Sequence, residues 1–158
     1  MALLGKRYEF QTDVSFFMNE VAERGGCVSF STGNPSGEAM DSSTNVVTYV
    51  ANPSGKVPIG ILLNDMVDVD ITRHKVNPYK NEVQKGGKVT ILRKGWVITD
   101  MIHSTGTPGA GSGLYLADSG LFSTSTRALA LNSGATPIGK FLSAKDSNGY
   151  AKVEINLP

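Results

Sequence analysis

Residues 150–157, YAKVEINL, set Ala151, Val153, Ile155 and Leu157 against Lys152, Glu154 and Asn156. Apolar and polar side chains alternate with period two, the repeat of a strand with one face buried and one in water. Working back along the chain, alternation or a short apolar run recurs at CVSFS (27–31), VVTYV (46–50), IGILL (59–63), VDVDI (67–71), KVTIL (88–92), GWVITDMI (95–102), LYLA (114–117) and IGKFL (138–142). Weaker strand character lies at 121–130. Turn signals separate these runs: NPSG (52–55), DSG (118–120), DSNG (146–149), a polar loop at 31–45 and a Gly-rich loop, HSTGTPGAGSG, at 103–113. Many short strands joined by turns predict an all-β fold, a small β-sandwich or β-barrel. No βαβ pattern interrupts them.

The N-terminal region reads differently. Residues 1–11 predict an extended arm, with Tyr8 and Phe10 too far from other apolar residues to be buried by the arm alone. Residues 12–24, TDVSFFMNEVAER, place Val14, Phe17, Met18 and Val21 at helical spacing, with Thr12 or Asp13 as cap and Gly25-Gly26 as stop. One short helix is therefore expected here. Phe16 falls off its apolar face, and the competing reading is an arm running straight into the next strand. The expected organisation is an arm with this short helix over 1–24 and a β domain over 25–158.

An internal repeat supports the β reading. SGKVPIG (54–60) and SGATPIG (133–139) share five residues in register, and Leu63 and Leu142 match at the same offset. Each copy joins a turn to an apolar strand, so Gly60 and Gly139 are expected where a side chain is not tolerated. The copies are either two similar strand starts or a duplicated unit closing one barrel.

Composition bounds the chemistry. A chain of 158 residues, 40% hydrophobic and 18% charged, can bury a core without staples. One cysteine and two histidines exclude disulfide frameworks and zinc ribbons. Cys27 is expected as a free buried thiol. The start, MALLGKRYEF, has too short an apolar run for a signal peptide, and nothing approaches the ~20 residues of a membrane span. No membrane partner is expected.

Enzyme motifs are missing. GNPSG (33–37) misplaces the serine of a nucleophile elbow. SGKV (54–57) and GGKVT (86–90) lack the hydroxyl residue directly after lysine that a phosphate loop requires. GTPGAGSG (106–113) precedes a strand rather than a helix, so no helix dipole faces it. His74 and His103 lie far apart without companion ligands, and Asp65, Asp68 and Asp70 lack the further donors of a calcium loop. The expectation is no catalytic residues, no metal and no cofactor.

Charge is segregated. Residues 73–94 carry Arg73, Lys75, Lys80, Lys85, Lys88, Arg93 and Lys94 against Glu82 alone, a local balance of +6, while the rest of the chain balances to −5. Such a segment suits an acidic partner surface or a second copy of the chain. With Tyr79 its only aromatic, it offers no stacking platform for single-stranded nucleic acid, and no nucleic-acid partner is expected.

At this point KVPIGILLNDMVDVDITRHKVNPYKNEVQKGGKVTILRKGWVITDMI (56–102), GLYLADSGLFSTS (113–125) and PIGKFLSAKDSNGYAKVEINLP (137–158), with YEFQTDVSFFMNEVAERGG (8–26), resemble the head decoration (cement) proteins of tailed phages. The likeness is greatest to those of short-tailed phages, including ones that infect cyanobacteria. A more distant likeness to the lambda-type decoration protein lies at Gly60–Leu62 and Lys94–Val97. The resemblance implies a capsid-stabilising protein that is not an enzyme. It would be assembled in the host cytoplasm, sit on the outer surface of the virion as a trimer or dimer, and clamp neighbouring major capsid proteins. Partner-binding residues expected from the aromatic arm and the basic segment are Tyr8, Phe10, Arg73, Lys75, Lys80, Lys85 and Lys88. Two rival readings are a small oligomeric nucleotide pyrophosphatase and a head-fibre or host-binding knob. The first would use AGSGLYLADSGLFSTSTR (110–127) as a phosphate loop, but the expected glycine-phenylalanine-glycine core is missing; the second lacks a repetitive stalk.

Overall fold

One strand organises the chain. The runs 88–92 and 95–102 join through Arg93, Lys94 and Gly95 into a single 12-residue strand, β9 (Lys88–Thr99). Gly95 makes the continuity feasible: its φ is +145°, and a β-carbon there would run into the carbonyl oxygen of Tyr8 on the neighbouring strand.

The computed structural model describes residues 2–31, 45–49, 51–53, 55–65, 69–70, 75–76, 81–124 and 137–158. The other strands are β1 (Tyr8–Met18), β2 (Ala22–Glu23), β3 (Cys27–Phe30), β4 (Val46–Thr48), β5 (Pro58–Asp65), β6 (Val69–Asp70), β7 (Lys75–Val76), β8 (Glu82–Val83), β10 (Gly113–Leu116), β11 (Phe122–Ser123), β12 (Gly139–Phe141) and β13 (Ala151–Asn156). A 3₁₀ turn spans Asp118–Gly120. The protein is all-β.

The pairings β1–β4–β3–β5–β9 return to β1 and so form a ring. All are antiparallel except β1 with β4. One edge of β9 carries β1 along most of its length. The other edge carries β5 from Val89 to Leu92 and then β13 from Lys94 to Thr99. The sheet thus forks near Gly95, and β13 leads on to β12, β10 and β11.

Two cores follow from the fork. Phe16, Met18, Val28, Val47, Ile59, Leu62, Val89 and Ile91 pack inside the ring, each ring strand contributing at least one. Cys27, Ile61, Leu63, Leu92 and Val97, on the opposite face of the same strands, pack with Leu114, Phe122, Phe141, Val153 and Ile155. The alternation expected at the C-terminus holds: Ala151, Val153 and Ile155 are buried, while Glu154 and Asn156 are exposed.

The helix expected over 12–24 is corrected: Tyr8–Met18 is a strand. Phe16 and Met18 are buried, Phe17 is half-buried, and Val14 and Val21, assigned to the apolar face of a helix, are exposed. Packing into the ring therefore favours period two over the local helical spacing. Leu3 bridges Thr99 and belongs to the second core, and the Leu4 N–H donates to the Ile98 carbonyl at 2.9 Å.

Candidate functional site

The N-terminal half of β1 projects from this framework. Its C-terminal end is held between β9 and β4 at Phe17 and Met18, whereas from Tyr8 to Asp13 the described residues pair with it only along β9. Residues Tyr8–Thr12 are all exposed, whichever face they occupy. Tyr8 keeps 54% of its surface and Phe10 71%. Phe10 has no opposite residue on β9, because the register passes from Glu9–Gly95 directly to Gln11–Lys94. The extra residue makes a bulge that turns the Phe10 ring outward.

Polar groups brace this ribbon. Arg7 is ion-paired with Glu9. Asp13 accepts the Ser15 N–H at 2.9 Å and the Ser15 hydroxyl at 2.5 Å, and lies 3.7 Å from the Arg93 guanidinium. Burial raises the Asp13 pKa, but the Ser15 bonds and Arg93 outweigh it and hold the carboxyl below its ordinary value. Arg93 also donates to the Pro158 carbonyl oxygen, so this basic residue ties β1 to the tail after β13. Beside Tyr8 lies its cross-strand neighbour Trp96, with the Lys152 ammonium 3.6 Å from the ring centroid. Neither Trp96 nor Lys152 has a sequence signal, because only the register of three strands brings them to Tyr8. Elsewhere Phe30, 46% exposed, donates its N–H to the carbonyl of Val57, 61% exposed, at 3.4 Å, and the Phe30 ring lies edge-on to Phe16 with centroids 5.8 Å apart.

The basic segment is divided. Arg73 and Lys80, with Asp68 and His74, lie outside the described residues. Lys75 is in β7, opposite Asp70 of β6. Asp65 is in β5, opposite Val89. Lys85 lies in the turn between β8 and β9, and the exposed Lys88 places its ammonium 6.0 Å from the Phe17 ring centroid.

The remaining chemistry-bearing groups serve the fold. Cys27 is fully buried, and burial pushes its thiol up to about 12, so no thiolate nucleophile forms at neutral pH. Tyr49 accepts the Gly26 N–H at 3.0 Å and donates to the Glu23 carbonyl at 2.6 Å; burial raises its pKa. His103 Nδ1 sits in a local turn, accepting the Thr105 N–H at 3.3 Å. The Gly-rich loop spends its backbone internally: Gly111 N–H donates to Phe141, Phe141 N–H to Ser112 and Ser112 N–H to Gly109. Among the described residues no three His, Cys, Asp or Glu side chains gather as a metal would require.

The N-terminal half of β1 is thus an outward aromatic ribbon on an otherwise well-packed β framework. The family model described as "Structural cement protein (E217 gp24/Pam3 gp6)" matches residues 11–156. The chain belongs to this phage cement family. It is therefore a structural protein of the virion that associates with the phage capsid, and its family is not an enzyme family. The comparison with curated proteins returns no match.

Proposed function

We propose that this cement protein binds the outside of the phage head and clamps neighbouring major capsid proteins, acting as a homo-oligomer, a trimer or a dimer. Tyr8 and Phe10 dock against the shell, and Arg73, Lys75, Lys80, Lys85 and Lys88 guide the approach to an acidic capsid surface. The observation that carries this reading is the exposure of two large aromatics at one strand end, 54% and 71%, while Phe16, Phe122 and Phe141 are buried and Phe17 is half-buried.

Burying what these two rings expose removes on the order of 250 Å² from water, roughly 6 kcal/mol gross at ~25 cal/mol per Å². Ordering and association costs absorb much of that, so losing both should weaken attachment by about 2–4 kcal/mol, or ~30- to ~1,000-fold. The test is titration of decoration-free heads with the wild type and with a Tyr8→Ser, Phe10→Ser variant of unchanged melting temperature. Equal affinity of the two would refute docking through this ribbon.

A further inference from the structure

The turn DSNG (146–149), between β12 and β13, has a chemistry that the capsid reading does not use. Of the chain's asparagines only Asn148 is followed by glycine. Asp146, Ser147 and Asn148 are all exposed. Gly149 turns the chain with a φ of +87°, and apart from its chain neighbours no atom lies within 4 Å of where its β-carbon would stand. With no side chain of its own, its amide nitrogen is as little screened as a main-chain nitrogen can be. The Asn148 side-chain amide is the electrophile beside it. Asp146 holds this turn together. Its Oδ1 accepts the Asn148 N–H and the Tyr150 N–H, each at 2.9 Å, and its carbonyl oxygen accepts the Gly149 N–H at 3.1 Å.

We infer that Asn148 is a site of spontaneous deamidation and that Asp146 sets its rate in the folded chain. The Gly149 nitrogen attacks the Asn148 Cγ. The new N–C bond closes a succinimide ring, the Cγ–Nδ2 bond breaks, and the Gly149 amide proton leaves with the ammonia. Water then opens the ring at either carbonyl, giving aspartate or isoaspartate. Nothing is oxidised or reduced, and water is the only co-reactant. Attack requires the Gly149 nitrogen to leave the Asp146 carbonyl and the Asn148 side chain to fold back over it, so the turn must open first. The two bonds at the Asp146 carboxylate oppose that opening. They are exposed and of modest net worth, so the folded chain should deamidate about fivefold more slowly than the unfolded one. Either product puts a new carboxylate beside Asp146. Isoaspartate also adds a methylene group to the main chain just ahead of Ala151, whose side chain is buried at the start of β13. A virion makes no new protein, so the converted fraction rises with the age of the particle.

Peptide mapping tests both parts. The purified full-length chain is incubated in mildly alkaline buffer, folded and in denaturant, and digested with trypsin. Mass spectrometry then follows the peptide DSNGYAK (146–152). This peptide should exchange its amide for a carboxylate ahead of every peptide that carries another asparagine, and should resolve into aspartate and isoaspartate forms. Asp146→Ala should raise the folded rate about fivefold, to that of the unfolded chain. Asp146→Ser, whose hydroxyl accepts the same bonds more weakly, should fall between the two. Circular dichroism checks that each variant is folded, and the ratio of folded to denatured rates in the wild type needs no variant at all. A folded chain whose Asn148 stays intact while the denatured chain converts would overturn the site, and so would faster conversion at another asparagine. An Asp146→Ala chain of native circular dichroism that deamidates at the wild-type rate, or a wild type equally fast folded and denatured, would overturn the role of Asp146. No binding to heads enters the measurement, so its outcome is separate from that of the docking reading.

Discussion

Gly139 lies in β12 between two partners, Leu114 of β10 and Ile155 of β13. A β-carbon at this position would run into the Glu154 carbonyl oxygen and come within 2.9 Å of its carbon and 3.0 Å of the Ile155 Cα. All three atoms are backbone, so no side chain can rotate away. Gly139→Val must therefore push β12 off β13. Overpacking costs about 1–3 kcal/mol, and one or two strained ladder hydrogen bonds add ~1 kcal/mol each. A total of about 2–5 kcal/mol corresponds to a melting point lower by ~4–20 °C in a chain of this size. Gly60→Val should cost somewhat less: its β-carbon would meet the Leu92 carbonyl but also the Ile91 Cγ2, at 2.6 Å, which can move. The control is Gly5→Ala, where nothing lies within 4 Å, and which should leave the melting point unchanged. Calorimetry or thermal circular dichroism measures all three. A Gly139→Val protein melting within ~2 °C of wild type would refute the reasoning and remove the structural meaning of the shared PIG segments.

Three further outcomes are expected. Cys27 should resist iodoacetamide in the folded protein at pH 8 and react fully in denaturant, as its burial and raised pKa require; modification of the folded chain at the denatured rate would contradict the packing of the second core. Asp100 is held above its ordinary value by burial and by the Glu23 carboxylate, so the folded state binds that proton more tightly than the unfolded state does. Its ionised form thus weakens the fold at neutral pH, and Asp100→Asn should raise the melting point at pH 7, the gain shrinking as pH falls through the raised value toward the ordinary one; a pH-independent difference would disprove the linkage. Charge reversal at Lys80, Lys85 and Lys88 together should slow association with decoration-free heads more than it speeds release, and added salt should slow the wild type more than the variant; a wild-type association rate indifferent to salt would leave the segment as a solubilising surface only.

The second half of the chain was readable because its strands have one wet face. YAKVEINL alternates, and β13 places Ala151, Val153 and Ile155 in the core. The β5–β9 pair is buried on both faces, so IGILL and KVTIL appear as continuous apolar runs, readable as strands but silent about which residue enters which core. Residues 12–24 misled because Val14, Phe17, Met18 and Val21 happen to fall at helical spacing. The informative residue was Phe16, the one that did not fit: with Met18 it marks period two. The exposed aromatics Tyr8 and Phe10 were visible in the sequence as apolar residues without local partners. Trp96 and Lys152 were not, because they reach Tyr8 only through pairings that cross more than 50 positions of the chain.

The fork at Gly95 explains how one strand can serve both core and surface. β9 keeps β1 on one edge while its other edge passes from β5 to β13. Where β5 is the neighbour, the ring closes and β1 is drawn inward, burying Phe16 and Met18. Where β13 is the neighbour, no ring forms, and β1 is left with one described partner and both faces open. The close approach of the Tyr8 carbonyl to Gly95 lies at the outward end of β1, whereas its buried part begins only at Phe16. A docking element built this way is preorganised: its backbone is already laddered to β9, and only side chains remain to be ordered on binding. That lowers the entropic cost of attachment relative to a free arm of the same sequence.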